Sequence, residues 1–183
     1  MTIASEPILL QSITAQCRLA SPLGTLLLAR TERGLAGAWF ERQKHHPAQI
    51  DAPERDDDAL LAAAARQLRD YFAGESSDFD VPLDLQGTEF QRAVWRALLR
   101  IAPGATSSYG EIARSLGAPS ASRAVGAAVG RNPVSIIVPC HRVVGTSGAL
   151  TGYAGGLDRK ASLLRIEAER LARERGSERL ELH

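Results

Sequence analysis

The sequence places a potential nucleophile, a potential base and a positive charge in succession at Cys140, His141 and Arg142. A thiolate is a strong nucleophile, and a neighbouring positive charge or a histidine base lowers the pKa of a thiol and so favours the thiolate. The triplet therefore makes Cys140 a candidate nucleophile. The alternative is a buried and inert cysteine, which is common in protein cores.

The segment before the triplet decides how these side chains can meet. Residues 134–138 are a β-branched run, which predicts a buried strand that ends at Pro139. Neighbouring side chains of a regular strand point to opposite faces. Cys140 and His141 would therefore be coupled only by a turn at Pro139 or by a bridging water. These residues alone are also compatible with a cysteine hydrolase.

Length and composition describe an ordinary globular protein of 183 residues, with 44% hydrophobic and 23% charged residues. This size fits one domain or two small ones. No apolar run approaches the roughly 20 residues of a membrane span, and we find no secretory signal, so we expect a cytoplasmic protein without a membrane partner. Cys17 and Cys140 cannot form a disulfide framework, and with His45 and His46 they lack paired zinc-ligand spacing, so no metal site is expected.

Charge is divided unevenly along the chain. Residues 1–87 carry 8 Lys/Arg and 13 Asp/Glu, whereas residues 88–165 carry 10 and 3. A basic module after an acidic one predicts a polyanion such as nucleic acid as the partner of the second half. Ordinary variation in surface charge is the alternative interpretation.

The first half predicts a small α/β domain with an antiparallel sheet. Residues 23–29 and 35–40 are β-type runs joined by a polar turn, which indicates a hairpin. A run of aspartates that ends at Asp58 favours a helix N-terminus, and Gly74 suits the end of that helix. We place this domain, with its connecting segment, at residues 1–87.

The second half is predicted to be mainly helical. Thr88 with Gln91, and Ser108 with Glu111, form capping-box patterns ahead of apolar residues at helical spacing. The short helix from Tyr109, a tight turn and the next helix make a helix-turn-helix, a winged-helix-like DNA-binding motif. The overall class is thus α/β (α+β). We place the C-terminal domain at residues 88–168, followed by a charged tail at 169–183 whose first part extends the last helix.

The second helix of this motif, residues 120–131, is rich in glycine and alanine. Such a thin helix can approach another surface closely. That surface can be another helix or the groove of DNA, with Arg123 and Arg131 at the margins, and the residues alone favour neither.

Residues 137–143, Ile-Val-Pro-Cys-His-Arg-Val, resemble the active-site signature of the O6-alkylguanine-DNA alkyltransferases, also called methylated-DNA–protein-cysteine methyltransferases. Further blocks resemble the recognition helix, the hinge and two downstream blocks of this family, in order at residues 122–128, 132–133, 153–156 and 163–167. The resemblance covers residues 88–167 strongly and residues 1–87 only in general layout.

The resemblance implies a direct-reversal DNA repair protein. The alkyl group of O6-alkylguanine in duplex DNA, with O4-alkylthymine left open, would move irreversibly to Cys140 after the base is flipped out of the helix. Because the thioether product has no route back to the thiol, each molecule would act once, and DNA itself carries the alkyl donor, so no cofactor is expected. The expected partner is alkylated double-stranded DNA, and the expected state is a monomer, with cooperative assembly on DNA left open.

The resemblance also implies a role for each matched residue at the reactive centre. Cys140 would accept the alkyl group, and His141 would act through a water as the base that generates the thiolate. Glu167 would hold and polarise His141, and Asn132 would brace the turn between the recognition helix and the active-site segment. Tyr109 would help to rotate the target phosphate and would donate a hydrogen bond to the base.

DNA binding and base recognition are implied for two further groups of residues. The DNA-binding residues would be Arg123, which fills the space left by the extruded nucleotide, with Ala124, Gly126, Ala127 and Arg131. The base pocket would comprise Tyr109, the Val143 carbonyl, Tyr153 and the backbone of Ala154. Ala154 departs from members that carry a hydroxyl residue at this position, and Cys17 is the only N-terminal cysteine, so the N-terminal zinc site of some members is not expected.

Two functions of other classes stay open beside this one. A cysteine hydrolase using Cys140 and His141 would turn over repeatedly on an ester or peptide without DNA. A non-catalytic helix-turn-helix regulator or damage sensor would keep its function when Cys140 is replaced by alanine.

Overall fold

The computed structural model describes residues 12–181, and its N-terminal half is built on a three-stranded antiparallel sheet. The strands are β1 (Ala15–Leu19), β2 (Leu26–Arg30) and β3 (Leu35–Phe40), in the order β1-β2-β3. All six residues of β3 are buried. The predicted antiparallel sheet is therefore confirmed, and β1 is a strand that the sequence pattern did not single out.

Helix α1 (Ala59–Phe72) packs against this sheet. It begins as the aspartate run predicts, because the Asp58 side chain accepts hydrogen bonds from the Leu60 and Leu61 backbone amides. The helix is capped at Ala73, and the chain turns away at Gly74, whose φ of +69° suits a residue without a side chain. The final buried residue of the helix, Tyr71, is thereby carried to the boundary with the C-terminal half.

The C-terminal half contains α2 (Glu89–Leu98), α3 (Tyr109–Ser115) and α4 (Ser122–Gly130), with a short parallel pair of strands, β4 (Ser107–Ser108) and β5 (Val143–Val144). Both predicted capping boxes form. Helices α3 and α4 make the predicted helix-turn-helix. Trp95 of α2 fixes the position of α4, since its ring nitrogen donates a hydrogen bond of 2.8 Å to the Ala128 carbonyl.

The strand predicted over residues 134–138 is wrong, although the segment is buried as expected. Ile136 has a φ of +73°, a left-handed conformation that a β-branched residue rarely adopts. The Val138 amide donates back to the Val134 carbonyl at 3.0 Å, so the chain turns instead of extending. A 3₁₀ helix (Cys140–Arg142) follows this turn directly.

The last helix, α5 (Leu157–Glu181), runs 25 residues and continues through most of the segment expected to be a charged tail. Contacts with the rest of the molecule explain its length. The Leu171 side chain packs on Gly104, and Arg173 donates to the Gly74 carbonyl at 3.0 Å. The division of the chain at residues 87 and 168 stays a prediction.

Besides a smaller cluster around Leu27 and Trp39, the molecule has one large hydrophobic core that the two halves share. The buried residues of this large core run from Ala15 in the sheet to Leu163 in α5. Backbone hydrogen bonds join the halves at β3, where the Ala38 amide donates to the Pro133 carbonyl and the Ser135 amide donates to the Ala38 carbonyl. The turn ahead of Cys140 is thus held by the N-terminal sheet. Among the described helices, none is long and apolar enough to cross a membrane.

Candidate active site

Cys140 begins the 3₁₀ helix that follows a tight turn, and Asn132 maintains the shape of this turn. The side-chain amide of Asn132 donates to the Val138 carbonyl at 2.8 Å and to Cys140 Sγ at 3.1 Å. Its side-chain oxygen accepts from the Val134 amide at 3.0 Å. One buried asparagine therefore satisfies both ends of the turn and also aims a donor at the sulfur.

The Cys140 thiol is protonated at neutral pH. Burial raises its pKa to about 11, and this effect exceeds the opposite influence of the Asn132 hydrogen bond and the Lys160 charge. The expectation that neighbouring positive charge would lower the pKa of this thiol is thus wrong for the free protein. Because the thiol is only 4% exposed, its proton has to be removed by a group that is buried with it.

His141 is fully buried and is bound to Glu167, with 2.6 Å between Nε2 and Oε1. An ionised carboxylate can only accept hydrogen bonds, so Nε2 carries the proton and Nδ1 carries a lone pair. Nδ1 is buried and has no hydrogen-bond partner among residues 12–181. Burial, together with the charges of Arg142 and Lys160, lowers the pKa of His141 more than Glu167 raises it, which leaves a neutral imidazole with one basic nitrogen free.

Glu167 is buried and anionic because donors surround it. Burial alone would raise its pKa, but hydrogen bonds from His141 and Arg142 outweigh burial and hold the pKa well below its usual range. Arg142 donates from Nε to Oε2 at 3.0 Å and from a terminal nitrogen to Oε1 at 2.8 Å. The Gly104 amide adds a bond of 3.0 Å, and the Tyr71 hydroxyl one of 2.9 Å.

Several residues of this centre were missed by sequence reasoning. Arg142 was expected to act on the thiol, but it pairs with Glu167. Lys160 is fully buried and donates from Nζ to the carbonyls of Val143 and Thr151, at 2.5 and 2.6 Å. A lysine amid small residues in an amphipathic helix gives no local signal of burial.

The expected base-pocket residues lie on the segment that follows the 3₁₀ helix. The Val143 carbonyl accepts from Lys160 and keeps a second lone pair for another donor. The Ala154 carbonyl accepts from the Lys44 amide at 2.9 Å, which ties this segment to the N-terminal half. Gly155 leaves room for the Tyr153 ring, since a Cβ there would lie 2.6 Å from it.

Tyr109, the first residue of α3, reaches across to this same segment. Its hydroxyl donates weakly to the Thr151 and Gly152 carbonyls, at 3.4 and 3.5 Å. Its ring packs beside Gly126 of α4, where an added Cβ would be 3.7 Å away. Bonds this long are readily exchanged for a better acceptor.

Helix α4 divides its small residues between the core and the surface. Val125, Ala128 and Val129 are buried, and Gly126 is half-buried. The exposed residues are Arg123, Ala124, Ala127 and, just after the helix, Arg131. Packing against α2 and α3 therefore uses one side of the helix and leaves a thin, basic side open to solvent.

An Asn132→Ala substitution is expected to lower the free energy of unfolding by about 2–3 kcal/mol, because buried partners lose three hydrogen bonds. It should also raise the pKa of Cys140 further, since the Asn132 hydrogen bond lowers it. Urea unfolding measures the first effect, and the pH dependence of thiol alkylation by iodoacetamide measures the second. Ser135→Ala is the control, because it removes a single 3.4 Å bond from the same turn. Equal stability of the two variants would contradict this account of the turn.

Comparison with known proteins gives matches over most of the chain. The family described as "6-O-methylguanine DNA methyltransferase, DNA binding domain" matches residues 89–169, and "6-O-methylguanine DNA methyltransferase, ribonuclease-like domain" matches residues 18–85. A methylated-DNA–protein-cysteine methyltransferase of Mycolicibacterium paratuberculosis is 53% identical over 147 residues, which is 80% of this chain and 88% of that protein. One of Methanosarcina acetivorans is 52% identical over 149 residues, 80% of this chain and 94% of that protein.

Solved structures agree with these sequence matches. A crystal structure of Mycobacterium tuberculosis OGT in complex with DNA has a TM-score of 0.79 and 48% sequence identity. The alignment covers 86% of this chain and 94% of that one. The likeness therefore extends over both halves of the fold.

Proposed function

Because the chain belongs to the 6-O-methylguanine DNA methyltransferase family, we propose that Cys140 is the acceptor in its direct-reversal repair of alkylated DNA. One observation carries this assignment. In the 3₁₀ helix Cys140 is followed directly by a neutral, buried His141, which is anchored through Nε2 to Glu167 and has a free lone pair on Nδ1.

The other cysteine lacks these features. Cys17 lies in β1, opposite Leu28 of β2. Its pKa is raised to about 11 by burial and then by the charges of Asp56 and Asp58, which disfavour a thiolate. The charge of Arg69 acts in the opposite direction. Cys17 is thus a core residue in acidic surroundings.

The proposed transfer has a simple balance of bonds and protons. The S–H bond of Cys140 breaks, and its proton passes through a bridging water to Nδ1 of His141. The sulfur attacks the methyl carbon in line, so an S–C bond forms as the C–O6 bond breaks and its electron pair stays on guanine. A proton returns from the imidazolium to the guanine anion, through the Tyr109 hydroxyl or water. The products are S-methylcysteine and guanine.

The relay explains how a thiol with a raised pKa can react. The free protein holds sulfur and imidazole in their neutral forms, which burial favours. As the proton leaves, negative charge develops on sulfur within reach of the Asn132 donor, and positive charge develops on His141 against Glu167. Both charges are therefore met by groups already in place.

The exposed side of α4 is the proposed DNA surface. Arg131 and Arg123 flank Ala124 and Ala127, so charge can reach phosphates while the backbone lies close to the groove. Arg123 would occupy the stack when the damaged nucleotide turns out, a step that costs a few kcal/mol. A monomer on alkylated duplex DNA, the cytoplasmic location and the lack of a cofactor stay predictions.

The test is to incubate the protein with duplex DNA that carries one O6-methylguanine and to digest it for peptide mass spectrometry. We expect one methyl group per molecule, on the peptide that contains Cys140, and guanine restored in the DNA. A methyl group on another residue would overturn the assignment. Repeated turnover on esters or peptides without DNA would favour a cysteine hydrolase, and damage-specific binding with no transfer would favour a sensor.

A further inference from the structure

We propose that Tyr71 is a positioning residue of the Glu167–His141 relay, through which the N-terminal half of the chain takes part in the reaction. This inference rests on the proposed function. The roles that the family resemblance implies concern residues 88–167 alone, whereas Tyr71 belongs to α1.

The hydroxyl of Tyr71 touches both members of the relay. Tyr71 is fully buried, and its hydroxyl donates to Glu167 Oε1 at 2.9 Å and lies 3.4 Å from His141 Nε2. The edge of its ring faces the imidazole, with 6.4 Å between ring centroids and 69° between the planes. Tyr71 of α1 therefore contacts both the Glu167 carboxylate and the His141 imidazole, and it helps to fix the angle at which these two groups meet.

The Tyr71 hydroxyl can serve only as a neutral donor here. Burial, followed by the charge of Glu167, raises the pKa of Tyr71 far above its ordinary value, so the phenol keeps its proton. A donor on Oε1 draws off part of the negative charge that would otherwise stabilise a proton on His141. Tyr71 thus helps to keep the imidazole neutral and ready to accept the proton of Cys140.

The other charged and titratable groups around His141 come from the 3₁₀ helix, from α5 and from the segment that joins them. Arg142 and Lys160 disfavour a proton on the imidazole, and Glu167 favours one. Cys140 and Tyr153 are neutral at physiological pH, because burial raises the pKa of each. Replacing the Tyr71 hydroxyl leaves all of these groups in place and changes only the hydrogen bonding of Glu167 and of His141 Nε2.

Helix α5 fixes the end of α1 that carries Tyr71. Arg173 donates to the carbonyl of Gly74, three residues beyond Tyr71. About two turns earlier on α5, Glu167 accepts the hydrogen bond from Tyr71. Leu171, which lies between Glu167 and Arg173 on the same helix, packs on Gly104. The Gly104 amide also donates to Glu167. The long last helix therefore holds the carboxylate and both of these donors as one unit.

The test is a Tyr71→Phe substitution, which keeps the ring and removes the oxygen. We expect methyl transfer to slow about tenfold on the acidic side of the rate–pH profile, the effect of losing one hydrogen bond to a charged group. We also expect the acidic limb of the rate–pH profile to move up by about one pH unit, because His141 then binds its proton more tightly. Transfer should recover toward the wild-type rate at higher pH, with DNA affinity unchanged.

Phe79→Leu is the matched control, since the centroid of the Phe79 ring lies 5.8 Å from that of Tyr71 and a phenyl ring can donate no hydrogen bond to Glu167. It should slow transfer at all pH values alike, if at all. If the acidic limb of the rate–pH profile lies at the same pH in Tyr71→Phe and in the wild type, the proposal is overturned and Tyr71 is a packing residue. If the wild type transfers no methyl group, the proposed function fails separately, and NMR titration of His141 in the two proteins still decides the role of Tyr71.

Discussion

A Cys140→Ser variant is expected to remove no methyl group from O6-methylguanine in duplex DNA, a fall in rate of at least about 10⁴-fold. The serine hydroxyl fits the same turn and can accept the Asn132 hydrogen bond that the sulfur now accepts at 3.1 Å. Its proton is far harder to remove than that of a thiol, and oxygen is a poorer nucleophile toward a methyl carbon. The fold and the DNA surface on α4 should be untouched.

The measurement is single-turnover loss of O6-methylguanine from a duplex, with DNA affinity determined in parallel. Cys17→Ser is the matched control, because it removes the other buried thiol and should leave transfer at the wild-type rate. If Cys140→Ser binds DNA as tightly as the wild type but transfers no methyl group, the defect lies in the chemical step and not in DNA binding. Transfer that survives in Cys140→Ser and disappears in Cys17→Ser would reverse the assignment of the acceptor.

Local signals in the sequence predicted much of the scaffold. The hairpin of β2 and β3, the aspartate start of α1 and both capping boxes depend on neighbours within a few residues, and all of them form. The Cys140 block could be recognised for the same reason, since its residues are contiguous. Asn132, which acts on the same turn from eight residues away, also belongs to a recognisable local pattern.

The parts that could not be predicted depend on residues distant in the chain. Tyr71 meets Glu167 across 96 positions, and nothing near either residue indicates the contact. The β-branched run at residues 134–138 indicates burial correctly but not conformation, because Asn132 and β3 provide hydrogen-bond partners that favour a turn. Burial also reversed the expected direction of the Cys140 pKa shift, which adjacent charges in the sequence cannot reveal.

The raised pKa of Cys140 has a consequence for selectivity. A thiolate exposed in the free protein would react with any soft electrophile, whereas a buried neutral thiol is inert until a base takes its proton. The proposed base, His141, is itself neutral and fully buried. On the proposed function, Cys140 would therefore react only while an alkylated nucleobase lies against the sulfur.

A Glu167→Gln substitution is expected to have the largest effect on stability, a loss of about 3–5 kcal/mol in the free energy of unfolding. The amide is close to the carboxylate in shape, but it leaves the buried Arg142 guanidinium without a counter-charge. It also presents an NH₂ group in a site where His141, Tyr71 and Gly104 all donate. Urea unfolding at neutral pH measures the loss, and methyl transfer should fall with it, because the relay loses its anchor.

The pH dependence of this loss distinguishes a charge effect from a change in packing. The pKa of Glu167 is lower in the folded protein than its ordinary value of 4.5, so the unfolded chain binds more protons as the pH falls. The advantage of the wild type should therefore be complete above pH 4.5 and shrink as the pH falls toward the lowered pKa. Glu169→Gln, an exposed change two residues along the same helix, should alter stability by no more than about 0.5 kcal/mol at any pH. A gap between Glu167→Gln and the wild type that persists unchanged in acid would show that shape, rather than charge, holds this site together.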